Sequence, residues 1–316
     1  MKWSASAPAN IALIKYMGKN PGVINSPANT SVSYTLDHLR SFVCLELHEN
    51  LSQDKWEPLQ NEHAIFVPEL TLKAQQRYIN HLNFIKQYFN FTGNFIIRSA
   101  NNFPAGCGIA SSAASFAALT LCTANALTDL TGNEPLSLAI MADLSRQGSG
   151  SSCRSFFGPW VIWQDKTIKK IELPYSHLLH QVVVISEQHK AISSSEAHLR
   201  VQTSLLYTGR IERAQQRLTE LMDALANQNW QAAYKITWQE FWDMHALFET
   251  SDQPFGYFQA GTLEVLNYLR TGWENSGDGP IITIDAGPNV HLLFRPDQAS
   301  MASKIKNELT KKFIVL

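Results

Sequence analysis

From Ser99 to Thr128 the chain carries no charged residue. A stretch of that kind either crosses a membrane or lies inside a soluble core. Pro104, two glycines and repeated Ser, Thr and Asn side chains argue against a span. The stretch opens on a turn-forming cluster, Asn101-Asn102-Phe103-Pro104, and continues through a small-residue loop, Ala105-Gly106-Cys107-Gly108. After it Ile109, Ala113, Phe116, Ala117, Leu121 and Ala124 recur at three- and four-residue steps, which predicts a helix. Ser111 and Ser112 stand where that helix would begin. A helix start leaves its first N–H groups unpaired and carries the positive end of the dipole. Glycines ahead of it let the backbone approach a bulky anion. The residues leave two readings open, a phosphate cradle or a buried, alanine-rich core helix with an ordinary capped start. There is no GxxxxGK[ST], which excludes a P-loop of the common kind.

At 316 residues the chain predicts two domains, with the boundary placed near 174–180, so that the domains are 1–177 and 178–316. Hydrophobic residues make up 45% and charged residues 17%, a globular balance rather than a disordered one. The net charge of −1, from 26 basic and 27 acidic residues, gives no sign of a nucleic-acid partner, so any anion affinity must be local. Cys44, Cys107, Cys122 and Cys153 form no CxxC pair and no Cys/His zinc spacing, and fit free thiols in a reducing compartment. The opening MKWSASAPANIALIKY lacks the apolar core of a signal peptide, and no segment reads as membrane-spanning, so the expected location is the cytoplasm.

Residues 3–14 read as a strand, with Lys15 at its edge and a turn over Tyr16-Met17-Gly18-Lys19-Asn20-Pro21-Gly22; by themselves the two lysines, Lys15 and Lys19, read as solvated surface side chains. Further strands are expected at 30–37 and 42–47, a hairpin around Ile65-Phe66-Val67, and a strand from Asn94 to Arg98. Residues 71–89 predict an amphipathic helix with Leu72, Tyr78, Leu82, Ile85 and Tyr88 or Phe89 on one side; Lys73 and Arg77 on its early turns read as solvated. Pro135 is a favoured first position for a helix over 135–145. A second small-residue loop follows, Arg146-Gln147-Gly148-Ser149-Gly150-Ser151-Ser152-Cys153-Arg154-Ser155. It offers hydroxyls and an arginine near each end, and Arg grips phosphate or carboxylate bidentately where Lys cannot. The alternative is a surface connector, against which the apolar run Phe156 to Trp163 argues.

Beyond it come a turn and strand start over Asp165 to Lys170, a buried strand at 181–186, a polar loop at 188–195 and helices at 196–206, 209–227, 229–249 and 260–272, the last ending at Gly272. The stripes Leu218, Leu221, Leu225 and Trp238, Phe241, Trp242, His245 read as core, with His245 packed or capping. Pro280 to Phe294 predicts a β-hairpin around Asp285-Ala286-Gly287-Pro288-Asn289. Asp285 closes an apolar strand there, and its carboxylate could cap the turn or act in chemistry.

Together these segments resemble the GHMP family of small-molecule kinases and, within it, the mevalonate diphosphate decarboxylases. The resemblance covers most of the chain. It rests on Ala7-Pro8-Ala9-Asn10-Ile11-Ala12 with Lys15-Tyr16-Met17-Gly18-Lys19, on Asn101 to Pro104 through Gly108 to Ala114, on Gly148 to Ser155 and on Asp285 to Asn289. A Pro-x-x-x-Gly-x-x-Ser-Ser loop alone would indicate the superfamily; the arginine loop and the DAGPN turn, in this order, point to the decarboxylase branch.

The resemblance implies an α+β class, a two-domain GHMP-kinase fold. Its N-terminal α/β domain would be like domain 2 of ribosomal protein S5, its C-terminal domain ferredoxin-like, and the active site would lie between them. It implies an ATP- and Mg²⁺-dependent reaction in which the 3-hydroxyl of mevalonate 5-diphosphate takes the γ-phosphoryl group. Phosphate and carbon dioxide then leave to give isopentenyl diphosphate. No electron-sink cofactor is needed, because loss of the 3-phosphate drives decarboxylation. On the matching positions Asp285 would orient or deprotonate the tertiary hydroxyl. Lys15 beside it would keep it ionised. Arg154 would clamp the substrate carboxylate, with Asn10 holding the orientation. Tyr16, Lys19, Ser149, Ser151 and Lys73 would take the diphosphate. Asn101, Pro104, Gly106, Gly108, Ala110, Ser111 and Ser112 would form the nucleotide loop, with Ser112 also on Mg²⁺. Phosphoryl transfer of this kind is mostly positioning and charge neutralisation. A homodimer is usual in the family. Met17 stands where a Trp is usual, Gly106 and Cys107 replace small alanines, and Ser115 replaces a helix glycine. These departures keep a monophosphate-decarboxylating relative, or another small-molecule kinase of the fold, as the alternative.

Overall fold

A computed structural model describes residues 1–20, 22, 25–60, 70–104, 111–188 and 190–316. The expected hairpin at Ile65-Phe66-Val67 and the loop residues Gly106, Cys107, Gly108 and Ala110 lie outside the described residues. The chain divides into two compact units. One holds residues 1–10 with the described parts of 35–104 and 111–158; the other holds the described parts of 11–34 and 159–316. The chain passes from one to the other within β1 (Lys2–Ile14) and again within β2 (Ser31–Leu47).

β2 is continuous where two strands were expected. Its first residues, Ser31 to Tyr34, pair antiparallel with residues 160–163, and its last, Ser41 to Leu47, with residues 95–101. Exposed Asp37 and His38 interrupt the burial pattern without interrupting the strand, and that polar break made the sequence look like two elements. In the first unit β3 (Lys55–Pro58), absent from the sequence reading, runs parallel to β4 (Phe95–Asn101). α1 (Leu72–Tyr88) begins at Thr71, whose Oγ1 accepts from Ala74 N–H at 3.3 Å. It buries Tyr78, Leu82 and Ile85 and leaves Leu72 and Tyr88 in solvent, while Phe89 just beyond is buried.

α2 (Ser111–Thr131) is the helix expected from the uncharged stretch, with Ala113, Phe116, Ala117 and Ala124 buried. α3 (Leu138–Gly148) starts later than Pro135 suggests, because the Ser137 hydroxyl accepts from Ile140 N–H at 3.3 Å and sets the cap. It also runs on to Gly148, which turns the expected loop into a helix end followed by a 3₁₀ helix, Gly150–Phe156.

The second unit contains the hairpin β5 (Trp160–Gln164) and β6 (Thr167–Ile171), turned at Asp165 with φ +49°. Its four-stranded antiparallel sheet has the order β10-β7-β9-β8, from β7 (Leu179–Val184), β8 (Ile281–Thr283), β9 (Val290–Phe294) and β10 (Ile314–Val315). Its helices are α4 (Ser194–Arg200), α5 (Arg210–Ala226), α6 (Trp230–Glu249), α7 (Ala260–Ser276) and α8 (Ala299–Leu309). α7 passes through Gly272, which faces open space, and stops at Gly277, whose φ of +69° suits glycine. Among the described residues no helix is long and apolar enough to cross a membrane.

Candidate functional site

The residues expected to do chemistry fall into two sets, one in each unit. In the first unit the 3₁₀ helix carries Arg154 inward, 4% exposed. Its Nε donates to Asn10 Oδ1 at 3.1 Å. Asn10, on β1, in turn donates from Nδ2 to Ser155 Oγ at 2.8 Å and to the Ser151 carbonyl at 3.2 Å. Asn10 therefore orients the guanidinium and ties β1 to both ends of the turn that bears it. Ser149 Oγ reaches Ser112 Oγ at 3.4 Å, so the hydroxyls of the two small-residue segments face each other at the start of α2. No acidic side chain lies in the first turn of that helix itself. Asn101 is buried and accepts from Ser41 Oγ at 2.6 Å, and that hydroxyl lies 3.0 Å from Ser115 Oγ. Ser115, in place of a helix glycine, thus joins a buried polar chain. Pro104 is buried and Lys73 is exposed on the first turn of α1. Arg77, read as solvated, instead donates to the Gly148 carbonyl at 3.1 Å with its guanidinium 5.0 Å from the Phe116 ring centroid. Arg146 pairs with Asp143 at 2.7 Å, which gives one of the two loop arginines a structural partner.

Gly148 has a steric reason. A Cβ there would stand 2.3 Å from Phe116 Cδ1 and 2.7 Å from His81 Nδ1, so the join between α3 and the 3₁₀ helix admits no side chain. Burial drives His81 down to about 3 and pushes the Cys153 thiol up to about 12, so both are neutral at neutral pH.

In the second unit Lys15 is buried rather than solvated as its local sequence suggested: its Nζ meets Asp285 Oδ1 at 2.7 Å, with the lysine side chain 2% and the aspartate 27% exposed. Gly287 N–H bonds to the Asp285 backbone carbonyl at 2.7 Å. The turn is therefore closed by main chain, and the carboxylate is engaged by Lys15. His245 Nε2 lies 3.1 Å from the same carbonyl. A carbonyl only accepts, so this nitrogen carries the proton. Burial holds His245 down at about 3, with Lys15 adding to the effect. His245 is packed and bonded, as its stripe suggested.

Tyr16 packs on the His198 ring at 4.3 Å and edge-on to Trp163 at 4.7 Å. His198 Nδ1 accepts from Gly18 N–H at 3.0 Å, and burial, helped by Lys19 and Lys190, lowers it to about 3. Gly18 has φ +92°, and a Cβ on it would fall 2.1 Å from the Tyr207 hydroxyl. Lys19 Nζ donates to Asn25 Oδ1 at 2.7 Å. Met17 is buried with Met244, Leu247, Phe248, Tyr257 and Ala286, so the residue standing where a Trp is usual fills core. Asn289 accepts from Ile185 and Ser186 N–H at 2.7 and 3.1 Å, anchoring the DAGPN turn to the end of β7.

Sequence reasoning missed His198, Lys190, Arg210 and Glu240. Lys190 Nζ donates to Ala286 O and Ser194 Oγ, each at 2.7 Å. Arg210 and Glu240, both fully buried, form an ion pair that also involves Arg217 and Asp243. None of the four belongs to a motif; the signal available was a charge within a largely apolar helix for Glu240, and none for the other three.

Two family models cover nearly the whole chain. One, described as the diphosphomevalonate decarboxylase-like N-terminal domain, matches residues 7–171; the other, the mevalonate 5-diphosphate decarboxylase C-terminal domain, matches residues 181–313. A diphosphomevalonate decarboxylase of Debaryomyces hansenii is 31% identical over 94% of this chain and 80% of its own length. A mevalonate diphosphate decarboxylase from Legionella pneumophila, of known crystal structure, is 50% identical with a TM-score of 0.93 over 100% of both chains. MDDEF, solved in complex with MVAPP, AMPPCP and magnesium, is 27% identical with a TM-score of 0.85, covering 100% of this chain and 96% of that one. These matches fix the fold as the mixed α+β, two-domain fold of GHMP kinases. Within that class the chain belongs to the diphosphomevalonate decarboxylase family.

Proposed function

We propose that this chain catalyses the ATP-dependent decarboxylation of mevalonate 5-diphosphate, yielding isopentenyl diphosphate, ADP, phosphate and carbon dioxide. The observation that carries the reading is the contact between the buried Lys15 ammonium and the partly exposed Asp285 carboxylate at 2.7 Å. An ammonium held there keeps the carboxylate ionised, able to orient a tertiary hydroxyl and take its proton. The hydroxyl oxygen bonds to the γ-phosphorus of ATP and ADP departs. The C3–O bond then breaks, phosphate leaves, and the electrons of the C1–C2 bond form the new double bond as carbon dioxide is released. Arg154 suits the substrate carboxylate because its guanidinium is already oriented by Asn10. Tyr16, Lys19, Lys73, Ser149 and Ser151 take the diphosphate in this reading.

ATP fits the start of α2, where the Ser112 and Ser149 hydroxyls meet at the positive end of the helix dipole. Asn101, Pro104, Gly106, Gly108, Ala110 and Ser111 are assigned to the nucleotide. Among the described residues no cluster of His, Cys, Asp or Glu could hold a metal ion by itself. That donor set fits Mg²⁺ carried mainly by nucleotide phosphates and water, with the Ser112 hydroxyl as a protein ligand. Mg²⁺ would neutralise charge on the transferring group. The free thiols of Cys44, Cys122 and Cys153 speak for a reducing, cytoplasmic setting. The homodimer belongs to the same reading and is checked by sedimentation equilibrium.

The test is to supply mevalonate 5-diphosphate and ATP and measure ADP, phosphate and carbon dioxide together. Equal amounts of the three support the reading. ADP accompanied by a stable phosphorylated product and no carbon dioxide would identify a kinase instead.

A further inference from the structure

Lys15 and Asp285 are far apart in sequence, and each is held through its backbone by the same helix. Glu240 and His245 lie five residues apart on α6, about 7.5 Å along its axis. Glu240 Oε1 accepts the Lys15 N–H at 3.0 Å. His245 Nε2 donates to the Asp285 carbonyl at 3.1 Å. The Lys15 carbonyl is held as well, by Asn29 Nδ2 at 2.9 Å and Arg210 Nη2 at 3.5 Å. Arg210 locks Glu240 in turn, with Nη1 on its Oε2 at 2.9 Å and Nη2 on its Oε1 at 2.5 Å.

Arg210 and Arg217 neutralise the Glu240 carboxylate, and one of its oxygens still accepts the Lys15 N–H; a neutral acceptor would satisfy that N–H at lower desolvation cost than this buried charged set. What charge adds is a short, directional bond that resists displacement. A second fixed donor on the same helix then sets the other member of the pair.

We infer that α6 is the positioning element of the Lys15–Asp285 pair, with Glu240 fixing the lysine through its N–H and His245 fixing the aspartate through its carbonyl. Both residues are buried and act through the pair. The inference rests on the reaction proposed above for its functional meaning, and its readout is the titration of Asp285, which needs no turnover. Among the described contacts, the charged and titratable groups at this position are Lys15 on the Asp285 Oδ1, His245 on its backbone carbonyl and Lys190 on the neighbouring Ala286 carbonyl.

The experiment follows the Asp285 carboxyl by ¹³C NMR in full-length protein, with the resonance assigned by its loss in D285N. In H245F the donor is gone and the carboxylate drifts from the ammonium. The midpoint should rise by about one pH unit or more, the low end of what a close opposite charge contributes. H245Q places an amide donor near the Nε2 position and should bring the midpoint most of the way back. The double variant E240L/R210M removes the lock as a neutral pair, avoiding a lone buried charge, and should raise the midpoint in the same direction. In an active preparation the acid limb of kcat should move with the NMR midpoint while KM changes less than threefold. Variants that fold, by circular dichroism, and keep the wild-type midpoint would overturn the inference. Loss of thermal stability with an unmoved midpoint would do the same, leaving α6 a merely structural role. A wild-type protein that releases no carbon dioxide would sink the proposed reaction and leave this titration to decide the inference alone.

Discussion

The described hydrogen bonds about Arg154 run through neutral groups: Asn10 accepts from its guanidinium and donates to Ser151 and Ser155, with the Ser112–Ser149 hydroxyl pair in the same unit. Around Lys15 most of the described partners carry full charge: Asp285 on its ammonium, Glu240 and Arg210 on its backbone beside neutral Asn29, and Asp243, Arg213 and Arg217 behind them. Neutral dipoles can reorient when an anion arrives, and lose little when it leaves. Buried full charges cannot, because breaking one pair strands another charge away from water. The first set is suited to receiving ligands and the second to holding one geometry against displacement.

The sharpest way to break this contrast is at Asp285. Asp285→Asn should lower kcat by roughly 10²–10⁴-fold, the range for a general base, while ATP binding measured by calorimetry persists. Near-normal turnover would remove the carboxylate from the chemistry. Arg154→Met comes next. It should raise KM for the substrate by roughly 10- to 100-fold, matching the 1.5–3 kcal/mol of a hydrogen bond to a charged group, with a smaller effect on kcat. Equal losses in both parameters would mean that Arg154 acts in the transition state, and the neutral set would then do more than bind.

Acid sharpens the comparison from another side. His198 and His245 in the second unit and His81 in the first all sit near 3, below their ordinary 6.5, because burial disfavours the charged ring. Above pH 6.5 this stabilisation is complete. As pH falls from 6.5 toward 3 the unfolded chain takes up protons that the folded one refuses, so each histidine removes about 1.4 kcal/mol per pH unit. With two such groups against one, α6 amides should lose hydrogen-exchange protection faster between pH 7 and 5 than α1 amides, after correction for intrinsic rates. Equal losses would contradict the assignment. The smallest effect is expected at Gly148→Ala, where a methyl group meets Phe116 and His81. Overpacking should cost about 1–3 kcal/mol in urea unfolding. A neutral outcome would show that shape does not limit this segment.

Much of this was legible in the sequence, unevenly. The uncharged run from Ser99 marked α2 because helical periodicity survives burial. The DAGPN turn was readable because turn chemistry is local. The Lys15–Asp285 contact was reachable only through resemblance, since no spacing links residues so distant. Ser137 rather than Pro135 starts α3 because a side-chain cap outweighs a ring that merely tolerates the first turn. Arg77 looked solvated because its helix position is peripheral; its long side chain crosses to Phe116 and the Gly148 carbonyl. Glu240 and His198 were unreadable for a common reason. Each is a polar group bonded to the backbone of a residue in a different segment, and pattern along one segment carries no trace of that partner.

The central claim is that an acid, an ammonium and a guanidinium in this chain decarboxylate a diphosphate-bearing substrate. It is tested most directly by offering the mono- and diphosphates of mevalonate together, with ATP, and identifying the alkene formed. Isopentenyl diphosphate in large excess, with one carbon dioxide per ADP, is the expected result. Isopentenyl monophosphate as the main product, or ADP without any alkene, would contradict it.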